Sequence, residues 1–253
     1  MARLALITGT TSGIGKATAY KMAESGFDLA ITGRRKERLD ELKHELEQKF
    51  KVKVTSLCFD IRDKQDVDDV LGKFERLNEI EILINNAGLS AGLSPIQECD
   101  IDDWDRMVDT NIKGLLYISR KIIPFMVTNK KGHIVNIGSI AGRNVYANGN
   151  VYCATKYAVE AITQGMRADL LPHGIKVSQI APGAVETEFS IVRFHGDENK
   201  ANAVYKGFEP LIADDIADAI IYVLSRPKHV NINDMLIMPT AQASAYYLNK
   251  KLD

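Results

Sequence analysis

Short apolar runs alternate with amphipathic stretches along all 253 residues, which predicts an α/β domain with a mostly parallel sheet and helices on both faces. The first run, Leu4 to Thr8, opens directly into Gly9-Thr10-Thr11-Ser12-Gly13-Ile14-Gly15 and then an amphipathic stretch from Lys16 to about Ser25. No repeat, low-complexity tract or linker interrupts the pattern, and a 45% hydrophobic chain of this length fills one ordinary core. Residues 1–253 are therefore read as one doubly wound domain of the dinucleotide-binding (Rossmann) type.

The glycine turn carries the first chemistry. A pyrophosphate approaches backbone only where side chains are absent, and a helix amino terminus offers it unpaired N–H groups. Gly9 suits the tight turn, Gly13 the close approach and Gly15 the packing of helix on strand, in a G-x-x-x-G-x-G spacing. Phe27 to Thr32 reads as the second strand, followed by Gly33-Arg34-Arg35-Lys36. Where a carboxylate would hold the ribose of NAD this chain has Arg34 and Arg35, which suit the 2′-phosphate of NADP. The competing reading is a solvated basic turn with Lys36 near Asp40. Cations oppose the dipole at the start of the next helix, whose apolar stripe is Leu39, Leu42, Leu46 and Phe50, and an anion would offset that cost.

Lys53 to Phe59 reads as a third strand ending at Asp60-Ile61, then a helix from about Lys64 to Arg76, and Glu81 to Ile84 as a fourth strand closing on Asn85-Asn86-Ala87-Gly88. Asp60 and Asn86 thus fall on the common rim, as readers of adenine and ribose or as turn caps. One long helix is expected from Asp102 to beyond Ile122. Asn111 is an odd residue for its interior, marking either a bend with a local water or a surface position.

His133 to Ile137 reads as a buried strand that delivers the Ser139 hydroxyl to the rim. Tyr152 and Lys156 lie one turn apart on a helix running to about Leu171, a spacing that suits a phenol and an ammonium sharing proton transfer. Ile175 to Ala181 is a further strand ending at Pro182-Gly183. Residues 184–207 lose all period and read as an irregular lid, with Arg193 a candidate for a substrate carboxylate or a plain surface contact. A helix from Asp214, a strand from Asp234 to Met238 and a polar tail at 241–253 complete the chain.

A net charge of −1 argues against nucleic acid or an anionic membrane as partner, and no apolar run approaches a membrane span. Three cysteines without C-x-x-C spacing fit a reducing cytoplasm, and five scattered histidines give no metal site.

Together, Thr8 to Gly15, Asn85-Asn86-Ala87-Gly88, Asn111, Ser139, Tyr152-x-x-x-Lys156 and Pro182-Gly183 resemble the short-chain dehydrogenase/reductase family in order and spacing. Within it, Asp109 to Asn111, Gly149 to Tyr152, Glu186 to Ser190 and Val192-Arg193-Phe194 are similar to the NADP-dependent serine/3-hydroxy acid dehydrogenases. The resemblance implies Tyr152 as general acid/base and Lys156 as the group that lowers its pKa and holds the nicotinamide ribose. It implies Ser139 as donor to the reacting oxygen, and Asn111 as holder of a water linking Lys156 to solvent. It also assigns Thr11, Ser12, Ile14, Ile61, Pro182, Gly183, Val185 and Thr187 to the cofactor surface. The substrate expected is a small hydroxy acid such as serine or allo-threonine, or the matching oxo compound; the assembly expected is a homotetramer joined by the two long helices. A broad carbonyl or diketone reductase and a non-catalytic NADP(H) sensor are the alternatives.

Overall fold

Seven strands form one fully parallel sheet in the order β3-β2-β1-β4-β5-β6-β7 in a computed structural model describing residues 2–251. The strands are β1 (Leu4–Ile7), β2 (Asp28–Gly33), β3 (Val54–Cys58), β4 (Ile80–Asn85), β5 (His133–Ile137), β6 (Lys176–Pro182) and β7 (Asp234–Ile237). Because a parallel sheet is covered on both sides, its central strands are apolar throughout: β1 is buried at every residue. Ala5 and Ile7 point into one core with Met22, Leu42, Leu46 and Ile220, while Leu4 and Leu6 point into the other with Leu71, Ile118, Ile122 and Met126. The first layer is α1 (Gly13–Glu24), α2 (Lys36–Phe50) and, late in the chain, α9 (Ala213–Leu224); the second includes α3 (Lys64–Gly72) and the long helices near the middle of the sequence.

The sheet order reverses at β1 and β4, so their carboxyl ends part and leave a crevice on the rim, where open α/β sheets bind ligands. Two departures from the sequence reading lie along its wall. The helix expected as continuous from Asp102 is α4 (Ile101–Val108), a π-helical segment (Asp109–Gly114) and α5 (Leu115–Asn129), with Pro124 inside α5. The extra residue per turn falls around Asn111, whose buried side chain is bonded across to another loop, so the helix yields to a tertiary contact. The segment 184–207, expected to be irregular, is not: it contains α7 (Phe189–Arg193) and α8 (Glu198–Tyr205), the latter capped by the Asp197 carboxylate at the Lys200 N–H. Helix α3 stops at Gly72, short of Arg76. Helix α6 (Asn150–Leu170) ends through a short turn at Gly174, whose φ of +67° suits glycine.

Candidate active site

A cleft of about 530 Å³ runs along the rim from the glycine turn to the lid. At its closed end β1 delivers Gly9 with φ +72°, and a Cβ there would lie 2.9 Å from the Cα of Ala87. Gly15 stands behind the turn, where a Cβ would fall 2.2 Å from the Gly9 carbonyl oxygen. The Asn86 amide donates to the Thr8 and Gly9 carbonyls at 2.8 and 3.1 Å, so Asn86 sets the shape of the turn. Ser12 is the N-cap of α1 yet gives no side-chain cap, which leaves the helix N–H groups at the cleft without one. An open helix terminus reached over glycines fits a dinucleotide pyrophosphate.

Arg35 lies across this turn. Its guanidinium donates to Thr11 Oγ1 at 2.6 and 3.0 Å and to Ser12 Oγ at 3.0 Å. A third arm reaches Glu188 Oε2 at 2.8 Å, and Arg38 meets the other oxygen of the same carboxylate at 2.7 Å. The anion needed at the start of α2 is thus supplied in part by the protein, and these two guanidiniums hold the Glu188 carboxyl below its usual range against the opposing effect of burial. Lys36 pairs with Asp40, as the solvated reading expects. Asp60 accepts from the Arg62 backbone and guanidinium and lies 3.7 Å from Arg34, so it caps its own turn while lining the cleft.

Farther along, β5 and α6 bring Ser139, Tyr152 and Lys156 to one wall. Ser139 Oγ accepts the Ala141 N–H at 3.1 Å, which leaves its own hydrogen free to donate. Tyr152 is only 8% exposed and Lys156 only 7%. Burial drives the Tyr152 phenol well above its ordinary pKa, Tyr146 adds to the rise, and Arg193 and Ser139 pull it back. Burial also pulls Lys156 down to about 8, and its ammonium donates to the Ile137 carbonyl at 2.9 Å. Asn111 is not a surface residue. Its carbonyl accepts the Leu89 N–H at 2.9 Å, and its amide donates to the Leu89 carbonyl and to Thr155 Oγ1 at 2.8 and 3.0 Å, tying the π segment to the loop after β4 and to α6.

Residues of the 184–207 segment line the far end. Arg193 donates to Ser90 Oγ at 2.9 Å and to the Tyr146 hydroxyl at 3.0 Å, and its guanidinium carbon lies 5.1 Å from the Tyr152 ring centroid. Among the described residues no carboxylate pairs with it. Ile14, Ile61, Pro182, Gly183, Val185 and Thr187 line the same cleft.

Residues 3–197 match the family described as short chain dehydrogenase. The chain belongs to that family. It is 42% identical to sulfoacetaldehyde reductase 2 of Chromohalobacter salexigens, over 99% of this chain and 100% of the relative. It is 41% identical to an NADP-dependent 3-hydroxy acid dehydrogenase of Schizosaccharomyces pombe, over 97% and 96%. A solved closed form of serine dehydrogenase complexed with NADP+ superposes with a TM-score of 0.90 at 41% identity, covering 99% of this chain and all of that one.

In this short-chain dehydrogenase the sequence reading overlooked several residues of the cleft region. Arg38 stands one turn after Arg35, a signal that was present in the basic run. Glu188 reaches Arg35 from 153 positions away, and no local pattern announces it. Ser90 and Tyr146 are the hydrogen-bond partners of Arg193, and Tyr146 also lines the cleft beside Tyr152. Gln242, Ala245 and Leu248 of the polar tail line the cleft as well, with the Gln242 side chain accepting the Ala184 N–H at 2.8 Å.

Proposed function

We propose that this chain is an NADP-dependent oxidoreductase that interconverts a small anionic hydroxy compound, foremost a 3-hydroxy acid such as serine or allo-threonine, and its oxo counterpart. The observation that carries the reading is Arg193: a guanidinium without a carboxylate partner, facing the same cleft as Ser139 and Tyr152. Such a group pairs bidentately with a carboxylate. A sulfonate aldehyde is the second reading, favoured by the 42% identical relative named for one.

The nicotinamide supplies or accepts the hydride. The chain's own groups manage position and protons. Tyr152 gives its phenol proton to the carbonyl oxygen in reduction and takes it back in oxidation, while the free hydrogen of Ser139 meets the same oxygen where negative charge develops. Lys156, buried beside Gly88 and donating to the Ile137 carbonyl, would hold the nicotinamide ribose. Both Asn111 amide hydrogens are engaged by Leu89 and Thr155, so a water linking Lys156 to solvent would be held by an oxygen acceptor of Asn111. Arg34, Arg35 and Arg38 would hold the 2′-phosphate, and Gly9, Gly13 and the start of α1 the pyrophosphate.

Exposed apolar side chains on the two long helices, Leu116 and Tyr157, support a homotetramer joined there. Among the described residues no helix is long and apolar enough to cross a membrane, and a reducing cytoplasm suits three free cysteines. The deciding experiment is a panel of serine, allo-threonine, 3-hydroxypropionate, sulfoacetaldehyde and neutral alcohols, with NADP(H) and NAD(H). Turnover of the anionic members with NADP(H) is expected. Binding of NADPH with no turnover across the panel would replace the enzyme by a sensor, and equal rates on neutral members would favour a general carbonyl reductase.

A further inference from the structure

We infer that Asp103, buried in the first turn of α4 and outside the cleft lining, is a positioning residue for Arg193. Through His195 and Gly92 it anchors the carboxyl end of α7, and so fixes where the guanidinium stands. The inference rests on the reading of Arg193 as the partner of the substrate anion.

Three features converge on this carboxylate. At 5% exposure a charged side chain needs partners, and Asp103 has two. Oδ1 accepts from Arg106 at 3.1 Å, and Oδ2 lies 3.0 Å from Nε2 of His195, 92 positions away. A carboxylate only accepts, so the imidazole nitrogen is the donor. The helix does not call for this contact: α4 is already capped by Asp100, which accepts the Asp102 N–H at 2.9 Å.

His195 presents its ring from a left-handed backbone, φ +53°, which residues with a side chain seldom adopt. Its N–H and that of Gly196 bond back to the Val192 and Ile191 carbonyls at 3.2 and 2.9 Å, so the turn that ends α7 also aims the ring. Gly92 completes the junction. Its φ is +68°, and a Cβ there would stand 3.1 Å from Asp103 Oδ2. Its N–H donates to the Arg193 carbonyl at 2.9 Å, and Ser90 Oγ accepts from the Arg193 guanidinium at the same distance. Residues 90–92 thus hold both the backbone and the side chain of Arg193, and Asp103 joins that loop to the turn that follows α7. Support of this kind decides how sharply a binding group is placed, while leaving the proton chemistry to others.

His195→Gly separates ring from backbone, because glycine keeps the left-handed turn and removes only the imidazole. Its KM for 3-hydroxypropionate is expected to rise roughly 5- to 10-fold, with kcat and the KM values for 1,3-propanediol and NADP within about twofold of wild type. Asp103→Asn is expected to act alike, and the double variant to be no worse than the worse single one, since both break one contact. Equal increases for the acid and the neutral diol, or none, would overturn the proposal. Arg193→Gln is the control on the underlying reading: an unchanged KM for 3-hydroxypropionate in that variant, or no turnover of the acid by wild type, would remove the anion assignment instead. Hydrogen exchange then decides the anchor without any substrate. The Gly92 amide, bonded to Arg193, is expected to exchange at least about tenfold faster in His195→Gly, and unchanged protection would sink the anchor whatever the substrate proves to be.

Discussion

A phenol and an ammonium one helical turn apart, both nearly excluded from water, carry opposite burdens: burial keeps the Tyr152 proton on and pushes the Lys156 proton off. Their chemistry therefore depends on what the rest of the site places around them. Tyr152→Phe removes only the transferable proton, so kcat is expected to fall by roughly 10²- to 10⁴-fold while NADPH binding and circular dichroism stay unchanged. Retention of most activity would take Tyr152 out of the proton step. Arg35 makes a separate test, since it touches both the glycine turn and Glu188. Losing charge-assisted bonds to a 2′-phosphate, Arg35→Ala is expected to raise the KM for NADP on the order of 10- to 100-fold and to leave that for NAD nearly unchanged. An equal rise for both cofactors would confine Arg35 to bracing Thr11 and Ser12.

At the scale of elements, the strands and the glycine turn were legible because each is decided locally. Buried parallel strands are apolar on both faces, and Gly9 and Gly15 stand where a side chain has no room. What escaped was fixed by distant partners. Asn111 bends its helix through bonds to Leu89 and Thr155, 22 and 44 positions away. Helices α7 and α8 are too short to show a period and are bound together by the Ser190 and Tyr205 hydroxyls at 2.7 Å. The π segment has a measurable value of its own. Asn111→Ala would strand the N–H and the C=O of buried Leu89, so a loss of roughly 1–3 kcal/mol and a Tm lower by at least about 2 °C are expected, together with a fall in kcat. A normal Tm would mean that the loop finds other partners, and the bend would then owe nothing to Asn111.

For the whole molecule, one source of acid sensitivity is a buried group in the central sheet. His133 on β5 is 3% exposed, bonded to Ser178, and burial beside Lys176 and Arg3 lowers its pKa from 6.5 to about 3. Below pH 6.5 the unfolded chain takes up a proton that the folded chain refuses. The stability this residue contributes is therefore complete above pH 6.5 and is lost as pH falls toward 3, by up to about 5 kcal/mol. Urea unfolding of wild type and His133→Gln between pH 4 and 7 is expected to show the variant with the flatter dependence; parallel curves would assign the acid sensitivity elsewhere. The ion pairs of Glu188 raise a different matter of scale, because its carboxylate binds Arg35 and Arg38, proposed above for the 2′-phosphate, while its backbone leads into α7 and Arg193. Two ligands that share such a lever influence each other's affinity, and reciprocity requires the influence to be equal in both directions. A substrate analogue is then expected to tighten NADPH more than it tightens NADH, and Glu188→Gln to abolish the difference, so that an anion selected at one end of the cleft is felt as order of addition at the other.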